Sequence, residues 1–392
     1  MSVTIIGGGM AGATLALALS HLSRGTMQID LVEARMPEDR EHSVFDARAI
    51  ALAQGTCSDL IVIGVWPSLE SSATSITRVE VSDTNHLSKV QITASDYRLP
   101  ALGYVVELHA AGKRLFDLLR EAPGVHLHCP AMLKDIRRER VGNFITLDNG
   151  VELNALLVVA ADGSHSPLAA QCGISWRCRD YQQIAVIANI STSLSHKGGA
   201  FEHFTPHGSL GLLPMFGAGS SLVWCLPATY QRDIIDWDEG QFCQTLQHLF
   251  GWRLGRITTV SERQYYPLWL CTAQRHISHR LALVGNAAQT LHPIAGQGFN
   301  LGLRDVMTLA ETIIHAKAQG EDIGDYAVLS RYQRRRQLDQ AMTVGITDGL
   351  INLFTNRHAS LVACRNLGLM AMAHIPSLRN VLARKTLGWV VR

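Results

Sequence analysis

Three closely spaced glycines near the amino terminus constrain the fold of this chain more than any other feature. Gly7, Gly9 and Gly12 form the pattern GxGxxG. They follow a β-branched run from Val3 to Ile6 and precede a helical apolar pattern from Ala11 to Leu22. Gly7 permits a tight turn, Gly9 lets a diphosphate approach the backbone, and Gly12 lets the helix pack on the strand. The segment therefore predicts a β-α-β unit that binds phosphate at the start of its helix.

A carboxylate stands where such a unit holds a ribose. The second strand, Ile29 to Val32, leads to Glu33, which is 33 − 12 = 21 residues beyond the last glycine. A carboxylate there accepts hydrogen bonds from a ribose 2′-OH and disfavours a 2′-phosphate. Because strand, glycines, helix and acid coincide, we expect an adenosine dinucleotide site. The alternative is a glycine-rich turn in an ordinary α/β protein, and the motif alone does not distinguish FAD from NAD.

Later segments favour FAD. They are Asp46–Ile50, Val159–Gly163, Leu283–Ala288 and His292–Asn300. In the last of them, Pro293 is followed by Gly296 and Gly298, which flank Gln297 and lead into a helix. Backbone N–H groups at a helix start attract negative charge, and a reduced flavin carries negative charge on the pyrimidine edge of its ring.

The hydrophobic pattern predicts an α/β chain in three parts. Continuous apolar runs such as Leu156 to Ala161 are typical of strands buried on both faces of a parallel sheet, whereas 176–271 alternates strands with turn residues. We expect a Rossmann-like FAD-binding domain of the glutathione-reductase type, an inserted α+β substrate domain, and C-terminal helices. The predicted boundaries are 1–75, 100–175 and 272–330 for the first, 76–99 and 176–271 for the second, and 331–392 for the third.

Composition excludes several classes of function. The chain has 392 residues, of which 47% are hydrophobic and 17% charged, and its formal net charge is +2. It is therefore long enough for two or three lobes and gives no reason to expect a nucleic-acid partner. No window reaches the roughly 18 to 20 uninterrupted apolar residues of a spanning helix, and we see no signal peptide. We expect a cytoplasmic protein, soluble or peripheral to a membrane.

The cysteines indicate no metal or disulfide site. Eight of them are scattered along the chain without a CxxC pair or a close His partner. We therefore expect neither a zinc site nor a disulfide framework, and reduced thiols are the simplest interpretation.

The order of the motifs resembles the group A flavoprotein monooxygenases, the para-hydroxybenzoate hydroxylase superfamily. An N-terminal GxGxxG, a mid-chain Asp-Gly and a C-terminal Pro with a Gly-x-Gly helix start occur in that order over residues 3 to about 310. Asp46–Leu52 and Ala295–Asp305 are similar to the ubiquinone-biosynthesis ring hydroxylases, and Gly285–Pro293 and Thr386–Trp389 look like the 2-octaprenyl-6-methoxyphenol hydroxylases. Two positions depart from the family pattern, which usually has Asp at Asn286 and often Arg at Ala169.

The resemblance implies roles for individual residues. Glu33 would hold the adenosine ribose, Arg48 and Arg114 the phosphate and ribityl region, Asp162 the structure beneath the cofactor, and Asn286 the ribityl chain. The complete set of candidate cofactor-binding residues is Gly7, Gly9, Met10, Ala11, Gly12, Glu33, Ala34, Arg48, Arg114, Asp162, Gly285, Asn286, Pro293, Gly296, Gln297, Gly298, Phe299 and Asn300. The candidate catalytic residues are Pro293 and His292.

Simpler interpretations remain open for four of these side chains. Arg48 could form a surface ion pair, Arg114 could be an exposed helix cation, and Asp162 could cap a helix or turn. A single histidine such as His292 is more often structural than an acid or base.

The chemistry follows from the same resemblance. NAD(P)H would reduce FAD, O2 would add to form a C4a-hydroperoxide, and its distal oxygen would attack an electron-rich carbon of a polyprenylated phenol in ubiquinone biosynthesis. The oxidising power is the cofactor's, so the protein must exclude water and position the ring. Two alternatives remain, a flavin hydroxylase for another ring position or aromatic substrate, and a non-catalytic flavin-binding subunit of a biosynthetic complex.

A prenylated substrate lies in the membrane, and the C-terminal end offers a basic surface toward it. From Arg331 to Arg392 there are ten Arg or Lys residues against only Asp339 and Asp348. We expect peripheral membrane contact or contact with a ubiquinone-biosynthesis complex. The alternative is a set of ordinary helices packed on the FAD domain with Arg facing water.

Overall fold

The computed structural model of the chain describes residues 1–36, 48–84, 89–356 and 358–389. Asp46 and Ala47, which precede Arg48 in the predicted motif, lie outside these residues. The described strands are β1 Ser2–Ile6, β2 Gln28–Val32, β3 Ala49–Ala53, β4 Thr74–Ile76, β5 Arg78–Asp83, β6 Lys89–Thr93, β7 Gly103–Glu107, β8 Val125–His128, β9 Leu133–Arg138, β10 Asn143–Leu147, β11 Glu152–Ala155, β12 Leu157–Ala160, β13 Trp176–Thr192, β14 Gly199–Thr205, β15 Gly208–Pro214, β16 Gly219–Pro227, β17 Ile257–Val260, β18 Gln264–Ala273, β19 Ile277–Ser278, β20 Leu281–Leu283 and β21 Gln289–Thr290. The described helices are α1 Met10–Leu22, α2 Gln54–Val62, α3 Trp66–Glu70, α4 Leu108–Glu121, α5 Pro167–Gln171, α6 Gln231–Asp236, α7 Glu239–Phe250, α8 Gln297–Ala318, α9 Tyr326–Thr355, α10 Ala359–His374 and α11 Pro376–Thr386.

A six-stranded sheet forms the first part of the fold, in the order β19-β20-β12-β1-β2-β8. Strand β1 lies at its centre, where Ile5 pairs in parallel with Leu31 of β2 and with Val159 of β12. All four residues of β12 are buried, which confirms the buried parallel strand predicted for this run. The chain leaves β1 toward β2 on one side, while β12 lies on the other. The carboxyl end of β1 is therefore a topological switch point, the usual ligand crevice of such sheets.

A nine-stranded sheet forms the second part, in the order β21-β18-β13-β16-β15-β14-β5-β6, with β17 also paired to β13. Its pairings are antiparallel apart from the parallel pair of β14 and β5. Trp224 of β16 packs against Phe242 of α7, which covers one face of the sheet. Strand β21 brings two residues of the 285–300 segment to the edge of this sheet, so the two sheets meet beside that segment.

The C-terminal helices pack against the rest of the chain. Leu369, Ala383 and Leu387 are buried in an apolar cluster with Val105 of β7, and the Gly55 N–H donates to the Leu387 carbonyl at 2.8 Å. Within the described residues, no helix is long and apolar enough to cross a membrane.

Most of the described cations at the C-terminal end are paired with acids. Of the seven whose side chains the structure describes, five form ion pairs, and their partners come mostly from earlier parts of the chain. The pairs are Arg331–Glu321, Arg335–Glu311, Arg336–Asp305, Arg365–Asp83 and Arg379–Asp96. These pairs across the fold are not visible in the sequence.

The expectation of reduced thiols is wrong for two cysteines. Cys178 of β13 lies directly opposite Cys271 of β18, with their Cα atoms 4.2 Å apart, and the two form a disulfide. Opposed residues of antiparallel strands come this close irrespective of their distance along the chain. The separation of 93 residues gave no local signal of the pairing.

Candidate flavin-binding site

The glycine turn after β1 is packed tightly at two positions and open at the third. Gly7 has a φ of +104°, and a Cβ there would lie 2.4 Å from the Ala161 carbonyl oxygen. A Cβ on Gly12 would lie 1.9 Å from the Gly7 oxygen, so α1 packs on the turn only because this residue is glycine. A Cβ on Gly9 would meet no atom within 4 Å. The turn thus leaves open space in front of Gly9, at the start of α1.

The start of α1 is suited to an anion. Gly9 is the N-cap, no side chain caps the helix, and its first turn contains no acid. The N–H groups of the first turn therefore keep their capacity to donate, and the helix dipole adds partial positive charge. Met10 and Ala11 lie in this first turn.

Glu33 lies beside the same turn. It is buried, its Oε2 accepts from the Gly8 N–H at 2.6 Å, and its Oε1 accepts from the Arg35 N–H at 3.1 Å. These bonds fix the carboxylate at the end of β2, the position where the sequence predicts a ribose contact. Ala34, the next residue, is exposed. Gly8 must also be glycine, because a Cβ there would lie 2.8 Å from Cβ of Glu33. It was not singled out in the sequence analysis, although three consecutive glycines are a visible signal.

A second turn, after β20, meets the start of α1. Gly285 has a φ of +61°, and a Cβ there would lie 3.0 Å from Cβ of Ala11. A Cβ on Gly302 of α8 would lie 3.0 Å from Cα of Gly285. Asn286 is exposed between the buried residues Gly285 and Ala287. The N-terminal motif and the 285–302 segment are therefore packed against each other.

Helix α8 provides a second helix start without a side-chain cap. Its N-cap is Gly296, with φ 59° and ψ 28°, which has no side chain to cap the helix. A Cβ on Gly298 would meet no atom within 4 Å, so the backbone here is open in the same way as at Gly9. Gln297 and Phe299 flank this glycine and are half-buried.

Asp162, at the end of β12, has one oxygen that the described residues leave without a hydrogen bond. Its Oδ2 accepts from the Leu168 N–H at 3.3 Å, whereas Oδ1 is buried and has no partner in the described part of the chain. Burial raises the pKa of this carboxyl above its ordinary value. A Cβ on the adjacent Gly163 would meet no atom within 4 Å. A buried acceptor beside open backbone fits a polar ligand.

The side chain of Asn300 bonds to the protein itself rather than facing a ligand. Its Oδ1 accepts from the Ala53 N–H at 2.8 Å and from Thr56 Oγ1 at 2.7 Å, and its Nδ2 donates to the carbonyls of Ala51 at 2.9 Å and Gly296 at 2.8 Å. Both donors and both lone pairs of the amide are therefore used inside the protein. Asn300 fixes the start of α8 against β3 and α2.

A buried ionic network holds the Gly285 turn from behind. Asp305 accepts from Arg336 Nε at 2.7 Å, from Gln289 Nε2 at 2.6 Å and from the Gly285 N–H at 3.3 Å. Asp305 and Arg336 are almost completely buried. No role was predicted for these two residues, although Asp305 closes the stretch that resembles the ring hydroxylases. An Arg and an Asp on helices are usually exposed, so their pairing in the core was not predictable.

His292 is a buried neutral histidine. Its Nδ1 accepts from the Ile294 N–H at 3.3 Å, so its Nε2 carries the proton and donates to Gln183 Oε1 at 3.1 Å. The ring of Tyr181 packs edge-on at a centroid distance of 5.3 Å. Burial lowers the pKa of His292 to about 4. This geometry fits the structural alternative, in which His292 orients the turn at Pro293.

The two predicted cations differ in their surroundings. Arg48 is half-buried, and its guanidinium lies 5.6 Å from the ring centroid of Tyr266, which the sequence did not single out. Arg114 is exposed on α4. Stacking on an aromatic ring at the boundary of the two sheets distinguishes Arg48 from an ordinary surface cation.

Comparison with known proteins identifies the family of the chain. A family model described as an FAD binding domain matches residues 1–344. Ubiquinone hydroxylase UbiL of Rhodospirillum rubrum is 35% identical over 386 residues, which cover 98% of this chain and 89% of that protein. The 3-demethoxyubiquinol 3-hydroxylase of Escherichia coli is 31% identical over 387 residues, which cover 98% of both. This chain belongs to the ubiquinone-biosynthesis hydroxylase family.

Solved structures agree on the fold of this hydroxylase. The p-nitrophenol 4-monooxygenase of Pseudomonas putida superposes with a TM-score of 0.79 at 18% identity and covers 99% of this chain and 98% of that one. Klebsiella pneumoniae HpxO, complexed with FAD and uric acid, gives 0.77 at 17% identity, with 99% and 97% covered. The predicted fold class and the FAD cofactor are confirmed, and the hydroxylase is an FAD-dependent monooxygenase. NAD(P)H is the electron donor typical of its family.

Proposed function

We propose that this hydroxylase transfers one oxygen atom of O2 to the aromatic ring of a polyprenylated phenol in ubiquinone biosynthesis, with 2-octaprenyl-6-methoxyphenol as substrate and the benzoquinol as product. NAD(P)H supplies the electrons. The observation that carries the proposal is the packing of two uncapped helix starts, α1 and α8, on either side of the Gly285 turn. The relatives named as ubiquinone hydroxylases support the substrate class.

The residues at these helix starts have separate tasks. The open backbone at Gly9 would bind the cofactor's diphosphate, and Glu33 its adenosine ribose. The open backbone at Gly298 would face the flavin ring. When bound, FAD supplies the oxidising chemistry. Asn300 and Asp305 hold the two turns in position through the hydrogen bonds described above. The pairing of a diphosphate site with a ring-facing helix start supports flavin rather than nicotinamide in this crevice.

The surroundings of the turn at Pro293 suit a phenol ring. Ile294 is buried in an apolar cluster that includes Val105 of β7 and the stacked rings of Phe204 and Phe354. An apolar surface packs on an aromatic ring and excludes water from the reacting atoms. Because His292 is neutral at physiological pH, it adds no charge to this region.

Turnover of defined phenols tests the proposal. Purified protein loaded with FAD is mixed with NAD(P)H, O2 and 2-octaprenyl-6-methoxyphenol, and O2 consumption is recorded while the product is identified by mass spectrometry. We expect substrate-dependent O2 consumption and a product with one additional oxygen atom. A preparation that contains FAD but gives no hydroxylated product with any prenylated phenol would favour the non-catalytic subunit instead.

Hydroxylation at another position of the ring is the main competing function. The Escherichia coli relative, 31% identical over the whole chain, is named for hydroxylation at position 3 of demethoxyubiquinol. Both phenols should therefore be supplied at equal concentration to the same enzyme. We expect 2-octaprenyl-6-methoxyphenol to be consumed first. Preferential consumption of the demethoxy compound would instead identify this chain as a hydroxylase of the ring position for which the relative is named.

We also propose that α10 brings the enzyme to the membrane that holds its substrate. Exposed residues recur at helical spacing along one face of this helix, at Ala363, Leu367, Met370 and His374. Leu367 is 61% and Met370 45% exposed, and Leu378 of α11 is 48% exposed. Because five of the seven described cations of this end are paired, apolar contact rather than charge would dominate binding.

Flotation with liposomes tests the membrane contact. Removing the helices would expose their buried residues, so the double variant Leu367→Ser/Met370→Ser is preferable to truncation. Val141→Ser is a matched control, since Val141 is 71% exposed on the β9–β10 connection. We expect the wild type and the control to float and the double variant to stay in solution. Equal flotation of all three, or no binding of the wild type to any liposome, would contradict the membrane proposal.

A further inference from the structure

His165, Cys178 and Cys271 form a cluster of metal-ligating side chains outside the residues predicted for the flavin. The Nε2 atom of His165 lies 3.6 Å from Cys178 Sγ and 3.7 Å from Cys271 Sγ. One ligand atom from each residue lies within 4.8 Å of the others, and His165 and Cys178 are exposed. Imidazole with two thiolates is a ligand set that zinc prefers.

The fold brings these residues together through three separate elements. Cys178 of β13 and Cys271 of β18 are opposed in the nine-stranded sheet, as described above. His165 follows the Asp162–Gly163 loop and has a φ of +56°, which turns the chain sharply at this residue. The loop is held in place because Ser164 Oγ and Thr290 Oγ1 are hydrogen-bonded at 2.9 Å. The histidine is thereby directed to the cysteine pair.

The imidazole of His165 is already within coordinating reach of both sulfurs, which are joined in the disulfide in this structure. With Zn–N of about 2.0–2.1 Å and Zn–S of about 2.3 Å, the N···S edge of a tetrahedron is about 3.6 Å. In the disulfide form both His165–sulfur distances are close to this length, so reduction has only to separate the two sulfurs. The S···S edge would be about 3.8 Å. Opposed residues of a sheet have Cβ atoms about 4.5–5.5 Å apart, so rotation about Cα–Cβ of the reduced cysteines provides that separation.

We propose that the reduced chain binds one zinc ion through His165, Cys178 and Cys271, and that oxidation of the two thiolates to the disulfide releases it. Hydrogen peroxide is a sufficient oxidant. The two thiolates lose two electrons and form the S–S bond, and the peroxide takes up these electrons and two protons to give two water molecules. Zinc leaves as the free ion because both sulfur ligands are consumed. Three protein ligands leave the fourth position for water.

Zinc content of the FAD-loaded full chain tests the proposal. The protein is reduced with a phosphine, freed of reductant, incubated with excess zinc chloride and dialysed before the metal is measured. We expect one zinc ion per chain in the reduced protein and none after oxidation with hydrogen peroxide, with binding restored by a second reduction. A reduced wild-type chain that retains no zinc, or an oxidised chain that retains it, would overturn the proposal.

Variants locate the ion and separate binding from folding. Cys178→Ser removes an exposed ligand, and His165→Asn removes the imidazole while keeping a residue type that tolerates positive φ. Cys364→Ser is the matched control, because it removes an exposed thiol outside the cluster. Removing even an outer partner of a metal ligand costs at least about tenfold in affinity, so we expect at least that loss for both ligand variants and none for the control.

Folding is monitored in every variant by its FAD content and thermal unfolding. Tetrahedral coordination is checked by replacing zinc with Co2+, which gives absorption bands beyond those of the flavin. Zinc bound equally by wild type and Cys178→Ser, with both proteins folded, would place the metal elsewhere and refute the assignment. Loss of these cobalt bands in both ligand variants would support it.

Discussion

Replacing Gly9 by alanine should weaken FAD binding without damaging the fold. Gly9 has φ −62° and ψ −177°, which any residue adopts, and a Cβ there meets no atom within 4 Å. The apoprotein should therefore be unchanged or more stable by about 0.4–1 kcal/mol, because alanine restricts the unfolded chain. The new methyl group would, however, occupy the space in front of the first N–H groups of α1. Each charge-assisted hydrogen bond lost there costs about 1.5–3 kcal/mol, so FAD affinity should fall about 10- to 150-fold.

Two matched variants make this comparison decisive. Gly12→Ala adds the same methyl group three residues later, where it would lie 1.9 Å from a backbone oxygen. Overpacking of this kind costs up to about 3 kcal/mol, so this variant should lose stability even without FAD. Gly345→Ala, on an exposed turn of α9 with open space around it, should leave FAD affinity unchanged and raise stability by up to about 1 kcal/mol, because alanine favours a helix interior.

The measurements are thermal unfolding of each apoprotein and fluorescence titration of each with FAD. We expect Gly9→Ala to unfold at the wild-type temperature or slightly above and to bind FAD weakly. The reasoning would be refuted if Gly9→Ala bound FAD like the wild type, or if its apoprotein were destabilised as much as Gly12→Ala.

Three further predictions concern the residues around the turns. Asp305→Asn removes one of the two carboxylates paired with the buried Arg336 and leaves Asp339 as the other, so it should lower the free energy of unfolding by about 1–3 kcal/mol and accelerate FAD release; unchanged stability in denaturant unfolding would contradict a role in the core. Because burial lowers the pKa of His292 to about 4 from 6.5, the unfolded chain binds more protons between these values and stability falls as pH drops through them. Between these pH values the free energy of unfolding of His292→Gln should therefore fall by up to about 3 kcal/mol less than that of the wild type. An equal fall in both proteins would exclude His292 as a cause. Asn300→Ala leaves the Ala53 N–H without its acceptor and should weaken both stability, by about 1–3 kcal/mol, and FAD binding; a variant that weakens neither would show that the start of α8 is held by other contacts.

The parts of the fold that were predictable are those in which local pattern and packing agree. Strand β1, the glycine turn and α1 follow one another without interruption, and each glycine has the steric role expected from the motif. The continuous apolar run that became β12 was recognisable for the same reason, since a strand buried on both faces has no polar alternation.

The parts that were missed depend on contacts between distant residues. The disulfide between Cys178 and Cys271 depends on the register of two strands, which no local pattern encodes. The ion pair of Asp305 and Arg336 joins two helices whose charged residues look solvent-exposed in the sequence. Asn300 was predicted beside the cofactor, but only the folded chain reveals that its amide is fully used in positioning α8.

We propose that the Gly9 turn and the Gly298 helix start together bind a single flavin. Equilibrium titration of the wild-type apoprotein with FAD, followed by flavin fluorescence, tests it directly. We predict saturation at one FAD per chain, with the purified protein yellow. A protein that stays colourless and leaves the fluorescence of excess FAD unchanged would contradict the claim.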